Sequence, residues 1–229
     1  MAQKEIKKET NQHKTRILIV DDHPIVREGL AKLIDQEKDM AVCGQAEDAH
    51  QAIKAIKTLN PDLVIVDISL KETSGMDLIK DIKAQHTKLP VLTLSMHDES
   101  LYAERALRAG AQGYIMKQEA PERVVAAIRT VLAGKLYISD KVTSRMVHKL
   151  VGSKTDHAAA GVDALSDREL EVFLLIGQGF GTRQIAEKLF LSPKTIETYR
   201  AHIKEKLGVA DATELLQYAI QWVSSHEDK

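Results

Sequence analysis

Three carboxylates, a hydroxyl and a lysine in the first half of the chain have types and positions suited to moving a phosphoryl group. Asp67 ends Leu63-Val64-Ile65-Val66, an unbroken apolar run opened by Asn60-Pro61. Asp21-Asp22 ends a run of the same kind, Ile17-Leu18-Ile19-Val20. Short β-branched runs like these form strands buried on both faces. A carboxylate at the end of such a strand is costly unless it is solvated, paired or metal-bound. One aspartate there could simply cap a turn. Three, at the ends of two buried strands, repel one another and demand a cation. Oxygen ligands from few protein groups suit Mg²⁺, which keeps waters and takes a phosphate oxygen as a further ligand. Ser95 ends the run Pro90-Val91-Leu92-Thr93-Leu94, and Lys117 follows Gly113-Tyr114-Ile115-Met116. Alone, Lys117 reads as a solvated lysine and Ser95 as a capping hydroxyl. At one rim with the acids they suit phosphoryl transfer to Asp67. Mg²⁺ on Asp21 and Asp22 offsets the phosphate charge, Lys117 adds a cation, and Ser95 donates a hydrogen bond.

The elements between these runs supply the positioning. Helical periodicity covers 24–36, with Ile25, Leu30, Leu33 and Ile34 at helical spacing and Pro24 in the first turn. Further helices are expected at 48–58, 75–84, 99–109 and 120–133, the last two closed by Gly110 and Gly134, and a further strand at 40–44. Five βα units specify an α/β fold, a doubly wound five-stranded parallel sheet covered on both faces. In such sheets ligands bind at the carboxyl ends of the strands, where the strand order reverses. Residues 1–15 are charged and read as a flexible tail, 16–138 as one domain, and 139–164 as a linker that is helical in part. From 165 to 229 the pattern is all helix: a separate four-helix domain with explicit caps at Ser166, Thr182, Ser192 and Asp211.

Composition narrows the function classes. The 229 residues carry a net charge of −1, which does not advertise nucleic acid, and are 44% hydrophobic, ordinary for a soluble protein. Cys43 is the single cysteine, so no intramolecular disulfide framework exists. There is no apolar run of membrane-spanning length, and the Lys/Glu-rich start is no signal peptide. A reducing cytoplasm is the expected location, with no membrane partner.

The second constellation is 183–200. Two short helices meet at a tight turn, Ala186 is small where they cross, and Ile185, Leu189, Leu191, Ile196 and Tyr199 are spaced to pack between them. This is helix-turn-helix spacing, with 194–206 as the helix for the major groove. The competing view is an ordinary helical bundle, since beyond Leu165 acids outnumber Lys and Arg by two. Locally, though, Lys194, Arg200, Lys204 and Lys206 share one helix with only Glu197 and Glu205 against them. A short positive stripe suffices for one half-site when dimerisation completes the affinity.

Residues 16–134 resemble a bacterial response-regulator receiver domain, through Asp21-Asp22-His23-Pro24, Val66-Asp67, Leu94-Ser95 and Gly113-Tyr114-Ile115-Met116-Lys117 in family order and spacing. The resemblance implies that Asp67 is the phosphoacceptor, that Asp21 and Asp22 bear on Mg²⁺, and that Ser69 offers a backbone carbonyl to it. It implies that Ser95 and Lys117 meet the phosphoryl group and that Tyr114 is the switch aromatic, able to swing inward. Two departures stand out. Leu70-Lys71 replaces the common Met-Pro, and Met96 is bulkier than the usual alanine and is expected to crowd the phosphate pocket.

Residues 163–223 resemble the LuxR-type helix-turn-helix through 165–172, 185–189, 192–196 and 206–209. The whole chain is thus similar to NarL/FixJ-type transcriptional response regulators. That implies a sensor histidine kinase, double-stranded promoter DNA and a second copy of the chain as partners, with RNA polymerase a further one. Base contacts fall on Glu197, Thr198 and Ala201, and phosphate contacts on Lys194, Thr195, Arg200 and Lys204. The expected dimer face is the last helix, with Leu215, Leu216, Ala219 and Trp222 as an apolar stripe, and the unphosphorylated receiver is expected to cover 194–206. An aspartyl phosphatase-like enzyme is the first alternative; it wants a second aspartate two residues after the nucleophile, where Ser69 stands, and a cap domain. A receiver that only docks partners is the second, and the full set of acids speaks against it.

Overall fold

The structure, a computed structural model, describes residues 14–70, 73–151 and 161–227. Lys71, most of the expected tail and the Gly/Ser-rich and alanine-rich parts of the expected linker lie outside those residues. Strands and helices alternate as β1 (Thr15–Val20), α1 (Pro24–Asp35), β2 (Met40–Ala46), α2 (Ala49–Leu59), β3 (Leu63–Val66), α3 (Gly75–Gln85), β4 (Val91–Ser95), α4 (Glu99–Ala109), β5 (Gly113–Met116) and α5 (Pro121–Leu132). All strand pairs are parallel, in the order β2-β1-β3-β4-β5. The order reverses at β1, which places β1 beside β3 and the two acidic strand ends next to each other.

Alternation along each strand divides the core. Ile17, Ile19, Leu63, Ile65, Leu92 and Ile115 face α1 and α5, where they meet Leu30, Ile34, Val125 and Ile128. Leu18, Val20, Val64 and Val66 face the opposite way, towards Ala52 and Ile56 of α2 and Ile79 and Ile82 of α3. Each fully buried aliphatic side chain contributes about 1.5–3 kcal/mol. Ile25 departs from the expected buried face of α1: it is 85% exposed, and Leu30 and Ile34 carry the contact. Asp48 caps α2 through Gln51 N–H, and Asn60 ends it in the left-handed region at φ 46°. Among the described residues no helix is long and apolar enough to cross a membrane.

Beyond α5, α6 (Asp140–Val151) packs on α4. A short 3₁₀ turn at Val162–Ala164 leads into α7 (Asp167–Gly177), α8 (Thr182–Lys188), α9 (Pro193–Leu207) and α10 (Ala212–Glu227). Ser166 and Glu169 form a reciprocal capping box on α7, and Ser192 caps α9 through Thr195 N–H. The cap of α8 is Gly181 rather than Thr182, because Gln184 Oε1 reaches back to accept from Gly181 N–H at 2.9 Å. Leu170, Phe173, Ile176, Ile185, Ile196, Ile203, Leu215 and Ala219 fill the helical core, and Phe173 meets the rings of Tyr218 and Trp222 at 5.9 and 5.8 Å. The expected stripe on α10 is therefore split. Leu215 and Ala219 point inward and Trp222 packs on Phe173, while Leu216 and Ile220 face outward. The period of 3.6 puts residues four apart on one face, and the core claims the row of Leu215, Ala219 and Val223.

The two domains are docked. Arg105 of α4 donates to the carbonyls of Leu165 (2.7 Å) and Val162 (3.2 Å) and to Asp167 (3.3 Å). Lys80 of α3 reaches the other oxygen of Asp167 at 2.9 Å. Asp167 is thus the common anchor for two receiver cations at the start of α7.

Candidate functional site

The parallel register brings the acids together before any side chain is considered. Val20 pairs with Val66, so the next residues, Asp21 and Asp67, leave adjacent strands side by side. Ser95 pairs with Met116, and Lys117 N–H donates to the Ser95 carbonyl at 2.8 Å, which brings the lysine to the same rim. Gly75 makes the third side of the rim possible. A Cβ there would lie 2.0 Å from the Asp67 carbonyl oxygen and 2.7 Å from Ile68 Cα, so only glycine lets the start of α3 lie this close to the acidic strand end.

Asp21 and Asp67 are 1% and 2% exposed. Lys117 Nζ lies 2.6 Å from Asp21 Oδ2 and 2.7 Å from Asp67 Oδ2. Burial pushes the Asp67 carboxyl up to about 6, against the pull of Lys117, and the Asp21 carboxylate adds to the rise. Burial opposes charge on Lys117 as well, but Asp67 and Asp21 together hold its ammonium above the ordinary value. Ser69 N–H donates to Asp67 Oδ1 at 3.2 Å. Asp22 is partly exposed, with His23 Nδ1 2.7 Å from its Oδ1. One carboxylate oxygen each from Asp21, Asp22 and Asp67, with a ring nitrogen of His23, lie within 4.8 Å of one another. Asp21 Oδ2 and Asp22 Oδ1 are buried and lie close to Lys117 Nζ and His23 Nδ1 without hydrogen-bond geometry, so two carboxylate oxygens retain free acceptor capacity. That donor set fits a hard divalent cation.

Ser95 is fully buried and its Oγ accepts from His97 N–H at 3.1 Å. Tyr114 differs from expectation: its ring is already inside, 2% exposed, with the hydroxyl donating to the His97 carbonyl at 2.9 Å. The ring lies on the α4 side of β5, in one buried cluster with Tyr102, Ala103 and Ala106. Met96 also differs. It is 58% exposed and turned away from the rim, since residues along the strand end alternate in direction and its neighbour Ser95 takes the inward place. His97 and Arg105 carried no signal of their own in the sequence, although His97 stands two residues after Ser95, the offset that returns a side chain to the same face.

On α9, Lys194, Glu197, Thr198 and Ala201 are exposed, and Thr195, Arg200 and Lys204 are partly so. The receiver does not cover this face, contrary to expectation. Docking uses the opposite side of the domain, α7 and the end of α8, whose Arg168, Glu171, Leu174, Lys188 and Phe190 face the acidic rim across a cavity of about 310 Å³. Lys206 leaves the expected positive stripe, because Glu169 holds its ammonium at 2.6 Å. Of the remaining cations, Arg200 and Lys204 sit about one helical turn apart and Lys194 stands in the first turn of the helix.

Comparison with known proteins agrees with both halves. The response regulator receiver domain model matches residues 17–129, and the model for bacterial regulatory proteins of the luxR family matches residues 163–219. The oxygen regulatory protein NreC of Staphylococcus aureus is 37% identical over 210 residues, 90% of this chain and 97% of NreC. Among solved structures, the RcsB response regulator of Salmonella typhimurium is 30% identical with a TM-score of 0.64, over 91% of this chain and 98% of that one. RcsB of Salmonella enterica serovar Typhimurium bound to the rprA promoter in the presence of the phosphomimetic BeF3⁻ superposes with a TM-score of 0.61, at 30% identity over 90% of this chain and 98% of that one. With a receiver fold carrying a full acidic rim, and a helix-turn-helix domain whose α9 stands exposed, the chain belongs to the LuxR-type response regulators.

Proposed function

We propose that Asp67 accepts a phosphoryl group from a sensor histidine kinase, and that this controls how the helical domain engages promoter DNA. The observation that carries this reading is the buried Asp67 carboxylate beside Lys117, at a rim shared with Asp21, Asp22 and Ser95. In the transfer, a carboxylate oxygen of Asp67 attacks phosphorus, the phosphorus–nitrogen bond of the phosphohistidine breaks, and the imidazole leaves with its electron pair. Asp21, Asp22, Asp67 and the Ser69 carbonyl would hold Mg²⁺, which supplies positive charge for the phosphoryl oxygens. Lys117 stays charged against the same oxygens, and Ser95 donates to them once its hydroxyl turns from its present role as acceptor. The chain acts as a switch and not as a phosphatase: Ser69 occupies the place where that chemistry wants a second carboxylate, and the docked helices form a contact surface rather than a substrate cap.

On the DNA side, Glu197, Thr198 and Ala201 are proposed to meet base edges, and Lys194, Thr195, Arg200 and Lys204 the phosphates. Two copies would pair through the outward side of α10, at Leu216 and Ile220, and present two α9 helices about one DNA turn apart. Since α9 is open while the domains are docked, control rests on orientation. A helical domain pinned to its own receiver cannot adjust to a partner's half-site, and a released one can. Labelling with acetyl phosphate and Mg²⁺ tests the acceptor: the wild type takes label and Asp67→Asn takes none. Label that survives in the asparagine variant assigns the phosphoryl group to another residue.

A further inference from the structure

His97 stands outside the acid set yet hydrogen-bonds three residues around it. Its backbone N–H donates to Ser95 Oγ at 3.1 Å, and its carbonyl accepts from the Tyr114 hydroxyl at 2.9 Å. Its ring nitrogen Nε2 is 2.8 Å from Ser69 Oγ, two residues beyond Asp67. Its ring stacks on Tyr102 of α4, with centroids 4.5 Å apart and planes 24° from parallel. Three of these contacts are with residues of the acceptor rim. The fourth leads out of it.

Tyr102 is the receiver's buried face towards the helical domain. It is 1% exposed and lines the inter-domain cavity together with Glu171 and Leu174 of α7. Its hydroxyl is buried without a hydrogen-bond partner, and the nearby Glu171 carboxylate adds to what burial already does in holding that hydroxyl protonated. A buried orphan hydroxyl is unfavourable, because it gives up its hydrogen bonds to water and gains none. The docked arrangement therefore contains an unfavourable group directly behind the His97 ring, which a small displacement of that ring can expose to water.

We propose that His97 is the positioning residue that carries the state of the acceptor rim to the domain interface, through its bond to Ser69 on one side and its stack on Tyr102 on the other. A phosphoryl group on Asp67 recruits the Ser95 hydroxyl and a cation recruits the Ser69 carbonyl. Both movements pull on His97, and the ring shifts against Tyr102, loosening its contact with α7. This rests on Asp67 being the acceptor and deepens that reading by naming the route to the helical domain.

The test uses full-length wild type, His97→Ala and His97→Phe. Each is treated with acetyl phosphate and Mg²⁺, and the phosphorylated fraction is read on a phosphate-affinity gel. DNA affinity is then measured with and without donor, at matched phosphorylated fraction and one salt concentration, on a duplex selected from a random library by the phosphorylated wild type. Wild type should gain at least about five-fold on phosphorylation, the lower end of usual allosteric coupling. His97→Ala should take label while its gain falls towards unity. His97→Phe, which keeps a ring for Tyr102 but has no bond for Ser69, should lose the gain as well, and its fuller packing guards against a merely unfolded variant. A labelled His97→Ala or His97→Phe that keeps the wild-type gain overturns the proposal while leaving Asp67 as the acceptor. A wild type that takes label and gains no affinity overturns the switch reading and this route with it.

Discussion

At the acceptor rim, charges are taken out of water and held against one another. Asp21, Asp67 and Lys117 come from three strand ends separated by up to 96 positions, and the one ammonium lies within 2.7 Å of both carboxylates. On α9, seven candidate contact residues lie within eleven consecutive positions, all at least partly in solvent. Holding a small, dense anion, as proposed for the rim, needs low dielectric and several elements converging on one point. Meeting an extended polyanion in a wet groove, as proposed for α9, needs only one helix with exposed charges. Burial makes a rim charge expensive to lose, and exposure makes a groove charge cheap to lose and sensitive to salt.

That contrast can be broken most directly at Lys117. Lys117→Met leaves two buried carboxylates without their cation, and unfolding by urea in the absence of divalent ions should show a loss of about 3–5 kcal/mol. Excess Mg²⁺ should restore part of the loss if the acids bind it, and should leave the loss essentially unchanged if they do not. A change under about 1 kcal/mol would place the rim charges among solvated surface groups and remove the contrast. Next in size is the latch between the regions. Arg105→Ala removes three hydrogen bonds to the start of the helical domain, a cost of about 2 kcal/mol or roughly thirty-fold in docking. Small-angle scattering should report a more extended unphosphorylated protein, and an unchanged profile would show that Lys80, Tyr102 and the apolar contacts suffice to hold the domains.

On α9 the effects should be smaller and of a different kind. Lys204→Ala should weaken binding to all duplexes alike and lower the salt slope by about 1. Thr198→Ala should instead shift the preference among duplexes, by about 1–3 kcal/mol at the affected base pair. Uniform loss in both variants would merge the two classes of contact. The smallest expected effect lies at Glu171, between the regions. Burial raises its carboxyl above the ordinary 4.5, with Arg168 offsetting part of the rise. A raised pKa in the docked state means docking favours the protonated form. Docking is therefore strongest below the ordinary carboxylate value and weakens as pH rises through the raised one. Scattering between about pH 4 and pH 7 should show progressive opening, and Glu171→Gln should flatten that dependence.

Several features were legible because they are local. Apolar runs ending in Asp67 and Asp21-Asp22 announced buried strands with acids at their tips, and Ser166-Asp167-Arg168-Glu169 announced a helix start, because capping and strand burial depend on near neighbours. The helix-turn-helix spacing was legible for the same reason. Ile25, Met96 and the α10 stripe were misjudged because periodicity gives a face and does not say which face a neighbour covers.

The sequence by itself determined which strands form, where their acids sit, and which helix offers cations to a groove, since these follow from period, capping and the cost of burying a charge. Only the tertiary structure decided that Tyr114 is turned inward onto His97, that Glu169 removes Lys206 from the DNA face, and that Arg105 and Tyr102 join the receiver to α7 while α9 stays open. Each of these depends on side chains from elements distant in the chain meeting at a few ångströms. No local pattern encodes such a distance; it emerges when the sheet's strand order and the packing of the helices on it bring those elements together.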